Sequence, residues 1–190
     1  MKAKISNPLA VFHIIRYVWR ARRPSTLADM PAVVDTFWLR RGYDALTFFG
    51  VIVTPSQQEA DMMNATHGGS GHRQADGGGT AAAAARIVRE AAALKRHEMI
   101  HLRQAQATGD SWWRFYRLYL RYWLQGWRQR RHHPNAGYRL NPFEMEAYRH
   151  MYDPQYLDRC RDGANGWRRY AALSVDERAA LYESTRTRGR

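Results

Sequence analysis

The chain carries a single cysteine, Cys160, in 190 residues. That excludes an internal disulfide, and no local motif marks the thiol as a nucleophile, so Cys160 reads as an inert side chain. Long apolar runs are also missing. The best one, Leu9 to Trp19, is interrupted by His13 and Arg16. It is far too short to cross a bilayer, and no small-residue cleavage site follows it. Residues 8 to 21 read instead as an amphipathic helix closed by Pro24, and the expected location is the cytoplasm, with peripheral membrane contact open. There are no internal repeats. The glycine runs lack the strand-loop-helix setting of a phosphate loop. Acidic residues are scarce, 17 against 30 lysines and arginines, for a formal net charge of +13. Such an excess permits contact with nucleic acid, anionic lipid or an acidic protein, although arginines on solvated helix faces are the plainer account of it.

What is present stands out against that background. His97-Glu98-Met99-Ile100-His101 reads H-E-x-x-H. On a helix, His97 and His101 lie one turn apart on one face, so two imidazoles can grip one metal ion. Glu98 follows His97 by about 100° of rotation, close enough to reach a water on that ion without being a ligand. Residues 80 to 106 read as the carrying helix, with Thr80 as a candidate N-cap and Gly109 just past the end. Arg89, Arg96 and Arg103 form a solvated stripe. Ile87, Ala91, Leu94, Leu102 and Ala105 form the opposite, apolar face, and Glu98 falls within it. A carboxylate there needs compensation, from catalytic chemistry at a metal or from a hydrogen-bonding neighbour.

A second segment offers the missing ligand. Asn141 is a good N-cap and Pro142 suits the first helical position, so Asn141-Pro142-Phe143-Glu144-Met145-Glu146-Ala147-Tyr148 opens a helix with two carboxylates in its first turns. Glu144 also sits three residues after Asn141, the reciprocal place of a capping box. If the cap uses Glu144, Glu146 becomes the ligand candidate.

HEMIHLRQ followed by NPFEMEAY resembles the gluzincin-like zinc metallopeptidases. It looks closest to small bacterial proteins that pair H-E-x-x-H-x-x-Q with F-E-x-E-A-Y, and is more distantly similar to the ImmA/IrrE and CAAX-protease-like groups. The resemblance covers residues 94 to 150. It implies Zn²⁺ as cofactor, His97, His101 and Glu144 as ligands, with Glu146 as the alternative, Glu98 as the base that activates the metal-bound water, and a peptide or protein substrate. Several relatives carry Asp or Asn four residues after the ligand Glu, to orient a histidine; here that position is Tyr148. Tyr148 and His150 are further candidates for an oxyanion or supporting role, as is Tyr152. His150 also stands one turn from Glu146.

Leu46 to Thr54 is the one convincing strand, rich in β-branched and aromatic residues and stopped by Pro55. It reads as an ordinary core strand or as the sheet edge on which zincins lay an extended peptide. Residues 56 to 79 read as a flexible glycine-rich loop, with His67 and His72 solvated. Ser111 to His132 reads as a helix crowded with aromatics, on which Arg114, Arg117, Arg121 and Arg128 share one face. The aromatic face suits a core first, a membrane surface second and single-stranded nucleic acid third. Asp153-Pro154 opens a further helix that Gly163 ends, and Ser174 to Glu177 is a capping box for the last. Residues 186 to 190 read as a frayed tail.

The sequence therefore predicts one α+β, mostly α domain of minimal zincin-like build, with a small sheet beside the metal-site helix. The expected function is zinc-dependent hydrolysis of peptide bonds. The alternative is a non-catalytic basic binding protein, at a membrane surface or on nucleic acid, built on the same scaffold.

Overall fold

The computed structural model describes residues 23–34, 45–65, 78–129 and 135–188, with side chains at 33–34, 78–81 and 186–188 left aside. The amphipathic helix expected over residues 8–21, His67 and His72 lie outside these residues. The fold is α+β and mostly α. The chain divides into two compact units at Met99 and Ile100, inside one continuous helix, with residues 23–25 grouped with the second unit.

The first unit holds a three-stranded sheet. Strands β1 (Ala32–Val34), β2 (Leu46–Phe48) and β3 (Val51–Thr54) stand in the order β1-β3-β2. β3 is central and buried at all four positions. It pairs parallel with β1, Ala32 opposite Ile52, and antiparallel with β2, Phe48 opposite Val51. The segment 46–54 is thus a hairpin, where the sequence suggested one strand. The reversal is made by Phe49 and Gly50, at φ 46° and 89°. A two-residue hairpin turn of type I′ has positive φ at both central positions, and glycine supplies one of them without strain. Phe49 hid the turn, because a phenylalanine is a poor turn signal and a good strand one.

Helix α1 (Gln57–Ala65) is a second correction, since its residues fell in the stretch read as a loop. Ser56 caps it by accepting from the Glu59 N–H. Ala60 and Met63 are buried, and the Asn64 amide brackets the Ala32 backbone, accepting from its N–H at 2.9 Å and donating to its carbonyl at 3.1 Å. Two buried apolar positions and a side-chain clamp on an edge strand anchor so short a helix. Its polar composition concealed this.

Helix α2 (Gly78–Ala107) contains Thr80 in its first turn, so Thr80 does not cap it. Residues 82–90 are exposed on every side, Ile87 included, so the apolar stripe predicted to reach Ile87 begins at Ala91. From His97 to Leu102 every residue is buried. A helix enclosed all round is packed on several sides. The carboxylate and two imidazoles of the motif sit in that enclosed turn.

In the second unit α2 is followed by α3 (Trp112–Trp127), α4 (Ala136–Arg139), α5 (Pro142–His150), α6 (Tyr156–Arg159), α7 (Trp167–Ala171) and α8 (Val175–Arg188). The helix expected to run from Asp153 to Gly163 is only the single turn α6. α8 continues to Arg188, three residues into the tail expected to fray. The Ser174–Glu177 capping box forms reciprocally, Ser174 N–H to Glu177 Oε2 at 2.7 Å and Glu177 N–H to Ser174 Oγ at 3.2 Å. The core of this unit is aromatic. Phe143 of α5 lies 4.9 Å from Phe115 and 5.9 Å from Tyr122 of α3, and 4.6 Å from Trp167 of α7, between ring centres. Part of the aromatic face of α3 is thus core.

Candidate metal centre

His97, His101 and Glu144 are all buried, and one ligand atom from each lies within 4.8 Å of the other two. Helix α2 itself sets the two histidines one turn apart. α5 presents Glu144 because its start is fixed. The Asn141 side-chain oxygen accepts from the Phe143 N–H at 3.2 Å, and Pro142 takes the first helical position. The Asn141 amide also donates to the Tyr119 carbonyl at 3.2 Å, tying that start to α3. The Asn141 backbone N–H donates to the Tyr138 carbonyl, which leaves the capping-box role of Glu144 unfilled.

His101 is held from behind. Its Nδ1 lies 2.7 Å from Gln104 Oε1. The Gln104 amide nitrogen donates to two acceptors, the Phe143 carbonyl at 3.0 Å and Glu146 Oε2 at 2.7 Å. Both can only accept, so the amide cannot be turned round, and its oxygen must face the imidazole. Nδ1 of His101 therefore carries a proton. In neutral His101 the lone pair is then on Nε2, which faces Glu144 Oε1 at 3.4 Å. Two electron-rich atoms so close in a buried site need positive charge between them. A proton can bridge only that pair. His97 brings a third donor to the same place, and two imidazoles with one carboxylate are the donor set of an open catalytic zinc site. The residues present fit a divalent metal ion on this ground.

Glu146, the alternative ligand, is not in this group. Its carboxylate accepts from Gln104, from the Tyr156 hydroxyl at 2.6 Å and from the Gly166 N–H at 2.7 Å. A Cβ at position 166 would stand 2.5 Å from Glu146 Oε1, so only glycine lets the backbone approach. Residues two apart on a helix point about 200° from each other, which explains the divided fates of the two carboxylates.

Glu98 is buried beside His97 and accepts a 2.5 Å hydrogen bond from Thr47 on its Oε2. The apolar face thus carries a carboxylate with a partner, and β2 supplies it. Tyr119 donates to Glu144 Oε1 at 2.8 Å. Burial, and next the nearby Glu144 charge, push the Tyr138 phenol far above its ordinary range, so it stays protonated. Tyr148 is half exposed and shares a 3.0 Å hydrogen bond between hydroxyls with Tyr138. His150 does not join the metal group. Its ring stacks on Tyr156 at 3.9 Å, and burial followed by the Arg169 charge lowers its pKa. Tyr152 is exposed.

Sequence reasoning assigned no role to Gln104, Tyr119, Tyr138, Tyr156 or Thr47. Gln104 was readable, standing three residues after His101 on the same face. The phenols carry no signal among so many other aromatics. Compared with family models, with curated proteins and with solved structures, the chain finds no match.

Proposed function

We propose that this chain is a zinc-dependent peptidase. One observation carries the reading: the buried His97, His101 and Glu144 group, whose ligand atoms lie within 4.8 Å of one another. A zinc ion held there would act as a Lewis acid toward a peptide carbonyl and acidify water at neutral pH. His97, His101 and Glu144 are its ligands. Gln104 keeps the His101 proton on Nδ1 and so leaves Nε2 free to bind. Thr47 engages one oxygen of Glu98, and the other oxygen takes a proton from the attacking water and passes it to the leaving amine. Among the described residues β2 is an edge strand. A peptide that adds to that edge in extended form runs past Thr47, the residue that holds Glu98.

Metal analysis of the full chain, purified without a histidine tag, is the test. The expected result is about one zinc per chain, lost in His97→Ala and in His101→Ala. Glu98→Gln keeps the zinc and loses cleavage of a mixed peptide library, since an amide cannot accept the water's proton. Absence of zinc after reconstitution overturns the metal. Stoichiometric zinc with no cleavage by the wild-type chain leaves a non-catalytic binding protein on this scaffold.

A further inference from the structure

Helix α3 has two faces of different character, and only the inner one serves the core and the metal group. Trp113, Leu120, Leu124 and Trp127 are 76%, 55%, 45% and 42% exposed. Their spacing of seven, four and three puts all four in one stripe along the helix. It runs about 21 Å at 1.5 Å per residue. Arg114, Arg117, Arg121 and Arg128 are exposed too and line one side of the same stripe. The helix contains no Asp or Glu. Among the described residues no carboxylate pairs with Arg117, Arg121 or Arg128. Four large apolar side chains turned to water beside a row of cations are costly for a surface that meets only solvent.

We propose that this outer face of α3 is a docking surface for an anionic lipid bilayer. Tryptophan suits the boundary between headgroups and acyl chains, because its ring is apolar and its N–H is polar. Leucine suits the layer just below, and arginine reaches back to the phosphates. The arrangement matches an interfacial helix lying flat, with its apolar stripe down and its cations beside it. Bases of single-stranded nucleic acid stack on successive exposed flat rings, whereas Trp113 and Trp127 stand at opposite ends of the stripe, Phe115 is buried, and Tyr119 and Tyr122 are turned toward Phe143. Aliphatic Leu120 and Leu124 give a base nothing to stack on. A second copy packed antiparallel on the same stripe would bring arginine against arginine. No helix among the described residues is long and apolar enough to cross a membrane, so attachment is to the surface. The inference stands apart from the peptidase reading, but the two meet in one element. Tyr119, on the inner side of α3, holds Glu144, so docking would bring the metal group within about one helix diameter, ~10 Å, of the headgroups.

The test uses the full chain and vesicles of phosphatidylcholine, with and without phosphatidylglycerol. The chain should sediment with the anionic vesicles at low salt, stay in solution with the neutral ones, and be released as salt is raised. The triple change Arg117→Gln, Arg121→Gln, Arg128→Gln should weaken binding about fivefold per arginine. An equal charge loss on other exposed arginines, Arg89→Gln, Arg159→Gln and Arg161→Gln, should weaken it far less. Trp113→Ser with Leu120→Ser and Leu124→Ser should weaken it at least tenfold with all charges intact. In case that variant does not fold, quenching of tryptophan fluorescence by brominated acyl chains should be strong in the wild type and fall in Trp113→Phe with Trp127→Phe. No binding to anionic vesicles at low salt overturns the proposal. So does equal sensitivity to both arginine triples, or binding to single-stranded nucleic acid alone with the same dependence on α3.

Discussion

Glu144 and Glu146 stand two residues apart on α5, both buried, and their surroundings differ completely. Glu146 is met by a phenol, a carboxamide and a backbone N–H, all donors. Glu144 is met by the Tyr119 hydroxyl and by Nε2 of His101, the nitrogen that bears the lone pair when His101 is neutral and Gln104 accepts from Nδ1. One carboxylate is compensated by hydrogen bonds and acts as a structural tie. The other accepts from Tyr119 and stands with two imidazoles in a group that could hold a metal ion. Buried carboxylates in one helix turn are therefore told apart by whether their neighbours bring protons or electron pairs.

Gln104 links the two. It donates to Glu146 and accepts from His101, so the structural carboxylate sets the direction of the amide, and the amide sets the tautomer of neutral His101. The orientation of His101 comes from within α2.

The largest effect should come from removing the tie. Glu146→Ala takes away the acceptor shared by three donors, two of them buried, and should cost about 3 kcal/mol or more of stability, read as a large fall in Tm. Glu144→Ala should do the reverse, lowering zinc affinity by orders of magnitude while the metal-free melt moves little. Zinc retained in Glu144→Ala and lost in a folded Glu146→Ala would invert the assignment. Gln104→Leu touches both sides. It should lower zinc affinity about 10- to 100-fold through loss of His101 orientation, and it should also destabilise the metal-free chain. If zinc affinity is unchanged while stability falls, Gln104 only packs. The finest comparison is between two phenols. Tyr156→Phe should cost about 1.5–3 kcal/mol, the worth of a hydrogen bond to a charged group, with zinc affinity unaltered. Tyr119→Phe should leave the melt within about 1 kcal/mol and change zinc affinity by less than tenfold. Equal behaviour of the two variants would remove the distinction between the carboxylates.

Periodicity alone reveals α2, α3 and the start of α5, because Asn141-Pro142 and H-E-x-x-H are local signals that require no partner. The hairpin at Phe49-Gly50 and helix α1 were missed because both depend on distant contacts. Val51 to Thr54 is buried between two strands, and Asn64 clamps Ala32 from 32 residues away. The inner face of α3 was legible as core. Its outer face was not separable from it by composition, since Trp112 is buried and Trp113 exposed on adjacent positions of one aromatic run.

By itself the sequence determined the candidate ligand types and their spacing on α2. An i,i+4 pair of histidines is fixed by helix geometry wherever the helix is placed. It determined also that two carboxylates open α5 and that they point apart. Tertiary structure alone decided which of them meets the histidines. That choice rests on the rotation of α5 against its neighbours, held by Phe143 among Phe115, Tyr122 and Trp167, and on Gly166 and Tyr156 arriving behind Glu146. Those residues are distant in the chain, and no local pattern encodes which side of a helix they will reach.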